Sequence, residues 1–169
     1  GTAYHGWQRQ PNALSVQEVM EEALALLLKQ QTPLTAAGRT DTGVHAKQMF
    51  AHFDADTTDL KQLIFRLNQF LPNDIAVIRI REVKPRAHAR FDALSRTYEY
   101  HLNNFKSPFV QGMSYGLYQP LDVEQMNKAA SILLEYEDFE CFSKAHTDVK
   151  TFLCTISKAV WEKSETGLV

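Results

Sequence analysis

Residues 38–46 read GRTDTGVHA, a short segment that combines two glycines with one cation, two hydroxyls and one carboxylate. Gly38 and Gly43 permit backbone angles and close approaches that other residues resist. Between them lie Arg39 and Asp41, so the segment has the composition of a functional loop. Gly, Asp and Thr are also common turn formers, and the residues alone are equally compatible with a plain turn between two strands.

The sequence around this loop predicts an α+β fold. One helix is indicated from Ser15, which has capping-box spacing to Glu18, and it ends at Thr32 and Pro33. A second helix is stopped by Pro72. The other expected elements are strands at 34–37, 47–54 and 75–83, with the second helix at 58–71. If a further strand precedes residue 1, this order is a split βαβ unit of the ferredoxin-like type.

A second structural unit is expected after Pro85, which gives two predicted domains, 1–85 and 86–169. Residues 93–102 alternate like a strand, so Tyr98 and Tyr100 would share one face and both are candidates for the core. A helix over 123–135 is predicted from its apolar spacing and from Asp122, and Trp161 is predicted to lie in a strand.

Positive charge is concentrated in one part of the chain. The stretch from Arg79 to Arg96 contains six Lys or Arg and two acids, a local charge of +4, whereas the whole chain has a formal net charge of −2. The remainder therefore sums to −6. Such a basic run is typical of a surface that binds an anionic partner such as RNA, although a solvated strand edge is the alternative.

Composition excludes several classes of protein. The 169 residues are 44% hydrophobic and 22% charged, as in an ordinary soluble globular protein, and no apolar run is long enough to span a membrane. A cytoplasmic location is therefore expected. Cys141 and Cys154 are too few for a disulfide framework and are predicted to be buried thiols. The six histidines follow no metal-binding spacing, so no metal site is expected.

The loop resembles the catalytic segment of the tRNA pseudouridine synthase A family, G-R-T-D-[AS]-G-V-H-A, with Thr42 as the one departure. Four further segments match that family in order and spacing. They are GTAYHGWQRQ at 1–10, LNQFLPNDI at 67–75, HARF at 88–91 and RTYEY at 96–100. The resemblance covers roughly the first hundred residues and implies a pseudouridine synthase fold. In that fold a mixed or antiparallel sheet carries helices on one face and is built from two ferredoxin-like halves.

The resemblance also implies a function and a set of site residues. Asp41 would be the catalytic nucleophile, Tyr98 the aromatic residue under the target base and Arg39 a substrate contact. His88 and Arg90 would contact RNA, although Ala87 stands where the family often has Phe. Arg96, from the basic run, is a further candidate for contact with RNA. The implied substrate is uridine at nucleotide positions 38–40 of tRNA, in the anticodon stem-loop. The resemblance also implies that the enzyme is a homodimer and needs no cofactor.

The chain is expected to be a piece of a longer protein. It begins inside a family motif, so the first strand would be cut short, and nothing after Thr151 clearly matches the family's later arginine-bearing segment. The second half of the fold would then be incomplete, and this piece alone would bind tRNA weakly and have little activity.

Two other functions remain open from the residues alone. The chain could be a non-catalytic RNA-binding module, in which the basic run contacts phosphates and the acidic loop is structural. It could also be a hydrolase with two carboxylates, if Asp54 or Asp92 lies near Asp41 in space.

Overall fold

A computed structural model describes residues 1–56, 59–143 and 151–169. The chain divides into two compact units, Gly1–Thr97 and Tyr98–Val169. The first unit contains α1 (Val16–Leu28), β1 (Thr35–Ala36), β2 (Ala51–His52) and α2 (Leu60–Phe70). The second contains β3 (Leu102–Asn103), β4 (Tyr115–Gly116), α3 (Val123–Ile132), β5 (Lys163–Ser164) and β6 (Gly167–Leu168). The α+β class is confirmed, whereas the domain boundary after residue 85 stays a prediction.

Helix α1 begins where the sequence predicts. The hydroxyl of Ser15, a fully buried residue, accepts a hydrogen bond from the Glu18 amide at 3.2 Å. This satisfies one amide of the first turn that the helix itself leaves without a partner. The helix ends earlier than predicted, because Lys29 adopts a left-handed conformation with φ 58°.

Helix α2 packs beside α1 over the core of the first unit. Asp59 caps it by accepting a hydrogen bond from the Gln62 amide at 2.9 Å, and Leu63 and Leu67 are buried. The predicted start of this helix at residue 58 falls outside the described residues. The buried core also includes Trp7, Ala23, Leu24, Leu34, Ala36 and Leu71. Trp7 therefore anchors the N-terminal segment in the core of the first unit.

Strands β1 and β2 pair antiparallel, with Thr35 opposite His52 and Ala36 opposite Ala51. Both lie within the predicted strands but are shorter. The predicted strand at 75–83 is wrong, because no strand is assigned there. The backbone of Val77 is instead hydrogen-bonded to the side chain of Asn68 in α2, which accepts from the Val77 N–H at 2.7 Å and donates to its carbonyl at 2.9 Å. The split βαβ arrangement needs this strand, so the structure does not confirm it and it stays a prediction.

In the second unit the strand order is β4-β3-β6-β5, with β3 parallel to β4 and the other neighbours antiparallel. Helix α3 is capped by Asp122, which accepts from the Gln125 amide at 3.0 Å, and a 3₁₀ turn extends it over Leu133–Glu135. The predicted helix over 123–135 is thereby confirmed.

Three predictions for the second half of the chain are wrong. The strand expected over 93–102 is limited to its last residue, because strand pairing begins at Leu102. Tyr100 is 60% exposed and has no core role. Trp161 lies outside a strand, because β5 begins only at Lys163 and the backbone of Trp161 pairs with the side-chain amide of Asn127 at 2.7 and 3.0 Å.

Cys141 and Cys154 are exposed and not buried, which corrects a further prediction. Cys141 lies in a 3₁₀ turn, Glu140–Phe142, and the Cys154 amide donates to the Glu137 carbonyl at 2.9 Å. Neither cysteine lies in an α-helix or a β-strand. Their side chains therefore lack the packed surfaces that would bury them.

Candidate catalytic loop and its supports

The segment 38–46 connects β1 to β2, as the sequence predicts, and its two ends are held together. The amide of Ala37, which follows β1, donates to the carbonyl of Phe50, which precedes β2, at 2.8 Å. This bond extends the pairing of the two strands up to the base of the loop. Asp41 and Arg39 are both exposed to solvent within the loop.

Residues 1–7 hold this loop through its backbone. The Trp7 amide donates to the Thr40 carbonyl at 3.2 Å, and the Gly43 amide donates to the Tyr4 carbonyl at 3.2 Å. Within the loop, the Val44 amide donates to the Asp41 carbonyl at 3.2 Å. The backbone on both sides of Asp41 is therefore fixed, although its side chain faces solvent.

The closest approach between the two segments occurs at Gly6. Its φ is 86°, and a Cβ atom placed there would lie 2.2 Å from the Thr40 carbonyl oxygen. Ordinary van der Waals contact begins at 3.4 Å. Only glycine allows residues 1–7 to lie this close to the loop.

The N-terminal segment is itself supported by α1. The amides of Val16 and Gln17, in the first turn of the helix, donate to the carbonyls of Gly6 and Trp7 at 3.2 and 3.0 Å. The first amides of a helix have no partner within the helix. Here the carbonyls of the N-terminal segment accept these two amides, so the segment is fixed and the start of α1 is capped by the same bonds. Because Trp7 is buried in the core, the position of the loop is linked to the packing of the first unit.

Tyr4 forms a second anchor of the same segment. Its side chain is buried, and its hydroxyl donates to Asp74 Oδ1 at 2.8 Å. Burial, together with this hydrogen bond and the negative charge of Asp74, raises the pKa of Tyr4 to about 12. The phenol is therefore neutral over the physiological range and remains a hydrogen-bond donor.

A second turn lies against the strands that carry the loop. In residues 88–92, the Asp92 carboxylate accepts from the His88 amide at 2.7 Å, and the Asp92 amide donates to the His88 carbonyl at 2.9 Å. The Ala89 amide donates to His52 Nδ1 at 3.1 Å, which connects the turn to β2.

The His88 ring in this turn contacts two other rings. Its centroid lies 4.7 Å from that of His52, with the planes tilted by 59°, and 4.2 Å from that of Phe91, on which it stacks at an interplanar angle of 30°. Phe91 is 74% exposed, and the Arg90 guanidinium lies 5.8 Å from the centre of its ring. An exposed aromatic face with a cation beside it is a surface on which a nucleobase can stack.

Of the predicted site residues of the first unit, Arg39 and Asp41 lie in the loop between β1 and β2, and His88 and Arg90 lie in the turn that contacts β2. Arg96, predicted to bind RNA, donates from its guanidinium to the carbonyls of Ala37 and Arg90. Tyr98 belongs to the second unit, where it is 79% exposed and not part of a core. Its predicted position under a target base and the RNA contacts of His88 and Arg90 stay predictions.

The six cations of the basic run are all exposed, and among the described residues none of them forms an ion pair. No described carboxylate therefore neutralises their charge. Within residues 1–56, 59–143 and 151–169, no cluster of three or more His, Cys, Asp or Glu could hold a metal ion. In the same ranges, no helix has both the length and the apolar character needed to cross a membrane.

Sequence reasoning missed the supports of the loop. Gly6 and Tyr4 lie in the segment 1–10 that resembles the family, but their contacts with the loop are not visible in the sequence. The pairing of His52 with the turn at 88–92 has no sequence signal at all. The hydrogen bonds from Arg96 to the carbonyls of Ala37 and Arg90 likewise have no sequence signal, and its predicted contact with RNA stays a prediction.

No family model matches the chain. Curated relatives do match, and each of the following carries the name tRNA pseudouridine synthase A. The protein from Bacteroides thetaiotaomicron is 54% identical over 166 residues, 98% of this chain and 62% of the relative. That from Porphyromonas gingivalis is 52% identical over 164 residues, 95% of the chain and 65% of the relative.

A more distant relative, from Thermoanaerobacter pseudethanolicus, is 37% identical over 168 residues, 98% of the chain and 69% of the relative. The chain thus spans about two thirds of the length of the curated relatives it matches. The identity extends over almost the whole chain, well beyond the first hundred residues in which the motifs lie. The chain belongs to the tRNA pseudouridine synthase A family.

Proposed function

We propose that the full-length protein converts uridine to pseudouridine in tRNA, with Asp41 as the nucleophile. The observation that carries this proposal is the arrangement of the loop, in which an exposed carboxylate stands on a backbone fixed by residues 1–7 and by β1 and β2. A fixed backbone reduces the reorganisation needed to reach the reactive geometry. The names of the curated relatives support the same reaction.

The reaction is an isomerisation and needs no oxidant or second substrate. The C1′–N1 bond breaks, the uracil turns, and C5 bonds to C1′ while the proton leaves C5 and N1 gains one. An aspartate carboxylate is ionised at neutral pH and can attack either the sugar C1′ or the uracil C6. The exposed position of Asp41 is compatible with either attack.

The target base must first leave its stack, which costs a few kcal/mol for base-modifying enzymes in general. Stacking on an aromatic face is worth about 1–3 kcal/mol per base and offsets part of that cost. We assign this role to Tyr98, whose ring is largely exposed. Arg39, two residues before Asp41, is assigned a contact with RNA near the extruded base.

The exposed basic run supplies the electrostatic part of tRNA binding. Its local charge of +4 stands against −6 for the rest of the chain, so phosphates are attracted to one surface. We further infer that the substrate is the anticodon stem-loop and that the full protein acts as a cytoplasmic homodimer. These finer assignments, like the split βαβ halves, rest on the family resemblance.

A non-catalytic RNA-binding module is the second candidate, favoured by the same exposed cations. A carboxylate held on a fixed loop argues against it, because such a group repels phosphate and gives a pure binder no benefit. A hydrolase that uses Asp92 as its second carboxylate is disfavoured, because that carboxylate already accepts a hydrogen bond from the His88 amide and closes the turn at 88–92.

The decisive experiment measures tritium release from tRNA labelled at uridine C5, because that hydrogen leaves when C5 bonds to C1′. Asp41→Asn in the full-length protein should melt cooperatively and bind tRNA, since the loop is held by backbone bonds that Asn retains. Its release rate should fall by at least about 10³-fold, as expected for loss of a nucleophile.

Asp54→Asn is the matched control, because Asp54 is also an exposed aspartate of the first unit. It should release tritium at the wild-type rate. Equal loss of activity in both variants would favour two cooperating carboxylates. Tight tRNA binding by a wild-type protein that releases no tritium would instead establish the binding module.

A further inference from the structure

Arg96 lies against the base of the candidate catalytic loop. Its Nε donates to the Ala37 carbonyl at 3.0 Å, and Nη2 donates to the same oxygen and to the Arg90 carbonyl at 3.0 Å. One guanidinium therefore joins the residue that precedes the loop to the turn at 88–92. Hydrogen bonds from a charged donor are among the stronger ones in proteins.

We propose that Arg96 is a positioning residue for the reaction, which braces the loop of Asp41 against the turn of His88 and Arg90. This rests on the proposed function, and it assigns Arg96 a task different from the phosphate contact that its charge suggested. The guanidinium acts on backbone carbonyls and so sets geometry, without touching the reacting atoms.

The contact is placed where the chain leaves the sheet. Ala37 makes the last backbone bond of the β1–β2 pair, to Phe50, and Gly38 opens the loop. A Cβ atom at Gly38 would lie 3.5 Å from Arg96 Nε, so the guanidinium packs directly on the backbone of this first loop residue. Movement of Arg96 would change the direction in which the chain runs toward Asp41.

The other side of the brace is equally fixed. The turn at 88–92 is closed by Asp92 and is connected to β2 through the bond from the Ala89 amide to His52. Arg96 adds the connection to β1. The turn is thus held to both strands that carry the loop. This fixes the position of the proposed RNA contacts relative to the proposed nucleophile.

Arginine is the side chain that this geometry requires. Its planar fork donates to two carbonyls at once, whereas lysine presents one compact ammonium on a flexible stem. Arg96→Lys therefore keeps the positive charge but loses the brace. A phosphate contact would largely survive this replacement, which separates the two roles.

The experiment compares Arg96→Lys and Arg96→Gln in the full-length protein, with Lys61→Gln as a control that removes an exposed charge from α2 of the same unit. Single-turnover tritium release is measured at saturating tRNA. A displacement of about 1 Å can cost about 10²-fold in rate, so both Arg96 variants should be slower by about 10- to 100-fold. Lys61→Gln should match the wild type.

The affinity for tRNA is measured in parallel over a range of salt. With Arg96→Lys, the dissociation constant and its salt slope should stay within about twofold of wild type. Wild-type turnover in Arg96→Lys would overturn the proposal. A salt slope in Arg96→Gln shallower by about one unit, with unchanged turnover, would also overturn it and identify a phosphate contact.

Amide hydrogen exchange provides a readout that needs no activity. Exchange at Ala37, whose amide is bonded to Phe50, should be faster in both Arg96 variants and unchanged in Lys61→Gln. Unchanged exchange at Ala37 would overturn the brace itself. Absence of tritium release from the wild type would overturn the proposed function, and the exchange result would still decide whether the brace exists.

Discussion

Replacing Gly6 by alanine should displace the candidate catalytic loop without altering any of its side chains. The new Cβ atom would lie 2.2 Å from the Thr40 carbonyl oxygen and 3.1 Å from the carbonyl carbon of Asp41. These are backbone atoms and not the ends of flexible side chains. The loop must therefore shift by about 1 Å to regain ordinary contact.

Two penalties contribute to the magnitude. A left-handed backbone costs an alanine about 1–2 kcal/mol, and overpacking costs a further ~1–3 kcal/mol. Gly43→Ala is the matched control, because Gly43 has φ 78° but a Cβ atom added there would meet nothing within 4 Å. Both variants bear the cost of a left-handed alanine and gain the same small stabilisation from a stiffer unfolded chain. The difference between their free energies of unfolding therefore measures the steric overlap at Gly6.

Chemical denaturation of the full-length protein measures this difference. Gly6→Ala should be less stable than Gly43→Ala by about 1–3 kcal/mol. It should also turn over labelled tRNA about 10²-fold more slowly, because the loop carries Asp41. Equal stability of the two variants, with normal turnover in Gly6→Ala, would refute the claim that this close approach positions the loop.

Two further predictions concern other parts of the chain. The phenol of Tyr4 has its pKa raised from 10.0 to about 12, so its contribution to stability is complete below pH 10 and is lost as the pH rises through 12. Stability of the wild type should therefore fall more steeply over this range than that of Tyr4→Phe, and parallel curves would refute the assignment. Replacing Arg90 by Gln should make the salt slope of tRNA affinity shallower by up to about one unit, whereas Tyr98→Ala should lower turnover and leave the slope unchanged. A shallower slope in Tyr98→Ala with lower turnover in Arg90→Gln would contradict both assignments.

The helices were predictable because their signals are local. Ser15 and Asp122 are caps that act on amides three residues away, and the apolar spacing that follows each one defines a buried face. Neither signal depends on where the rest of the chain lies. The ends were less predictable, as the left-handed Lys29 illustrates, because no glycine marks that position.

The strands were overpredicted because alternation does not guarantee a partner. Val77 and Trp161 both lie in strand-like sequence, yet the backbone of each is bonded to an asparagine amide from a helix. A side-chain amide offers the same donor and acceptor pair as a neighbouring strand. No feature of residues 75–83 or of the Trp161 segment reveals that Asn68 and Asn127 will be the partners.

The candidate nucleophile was found from its motif, whereas the groups that hold it were not. Asp41 lies in a contiguous signature, but Gly6, Arg96 and His52 act across long stretches of chain. Each of them meets a backbone atom, and backbone atoms carry no sequence information. Contacts of this kind become visible only once the fold is known.

The proposed nucleophile can therefore be exposed and still be held on a rigid backbone. Exposure concerns the side chain of Asp41, which must reach a nucleotide, whereas rigidity comes from the backbone on either side. The Thr40 carbonyl is held by Trp7, the Asp41 carbonyl by Val44, and the base of the loop by Arg96. Because these supports lead to the buried core through Trp7, a substitution far from the loop that loosens α1 against α2 should slow turnover before it unfolds the protein.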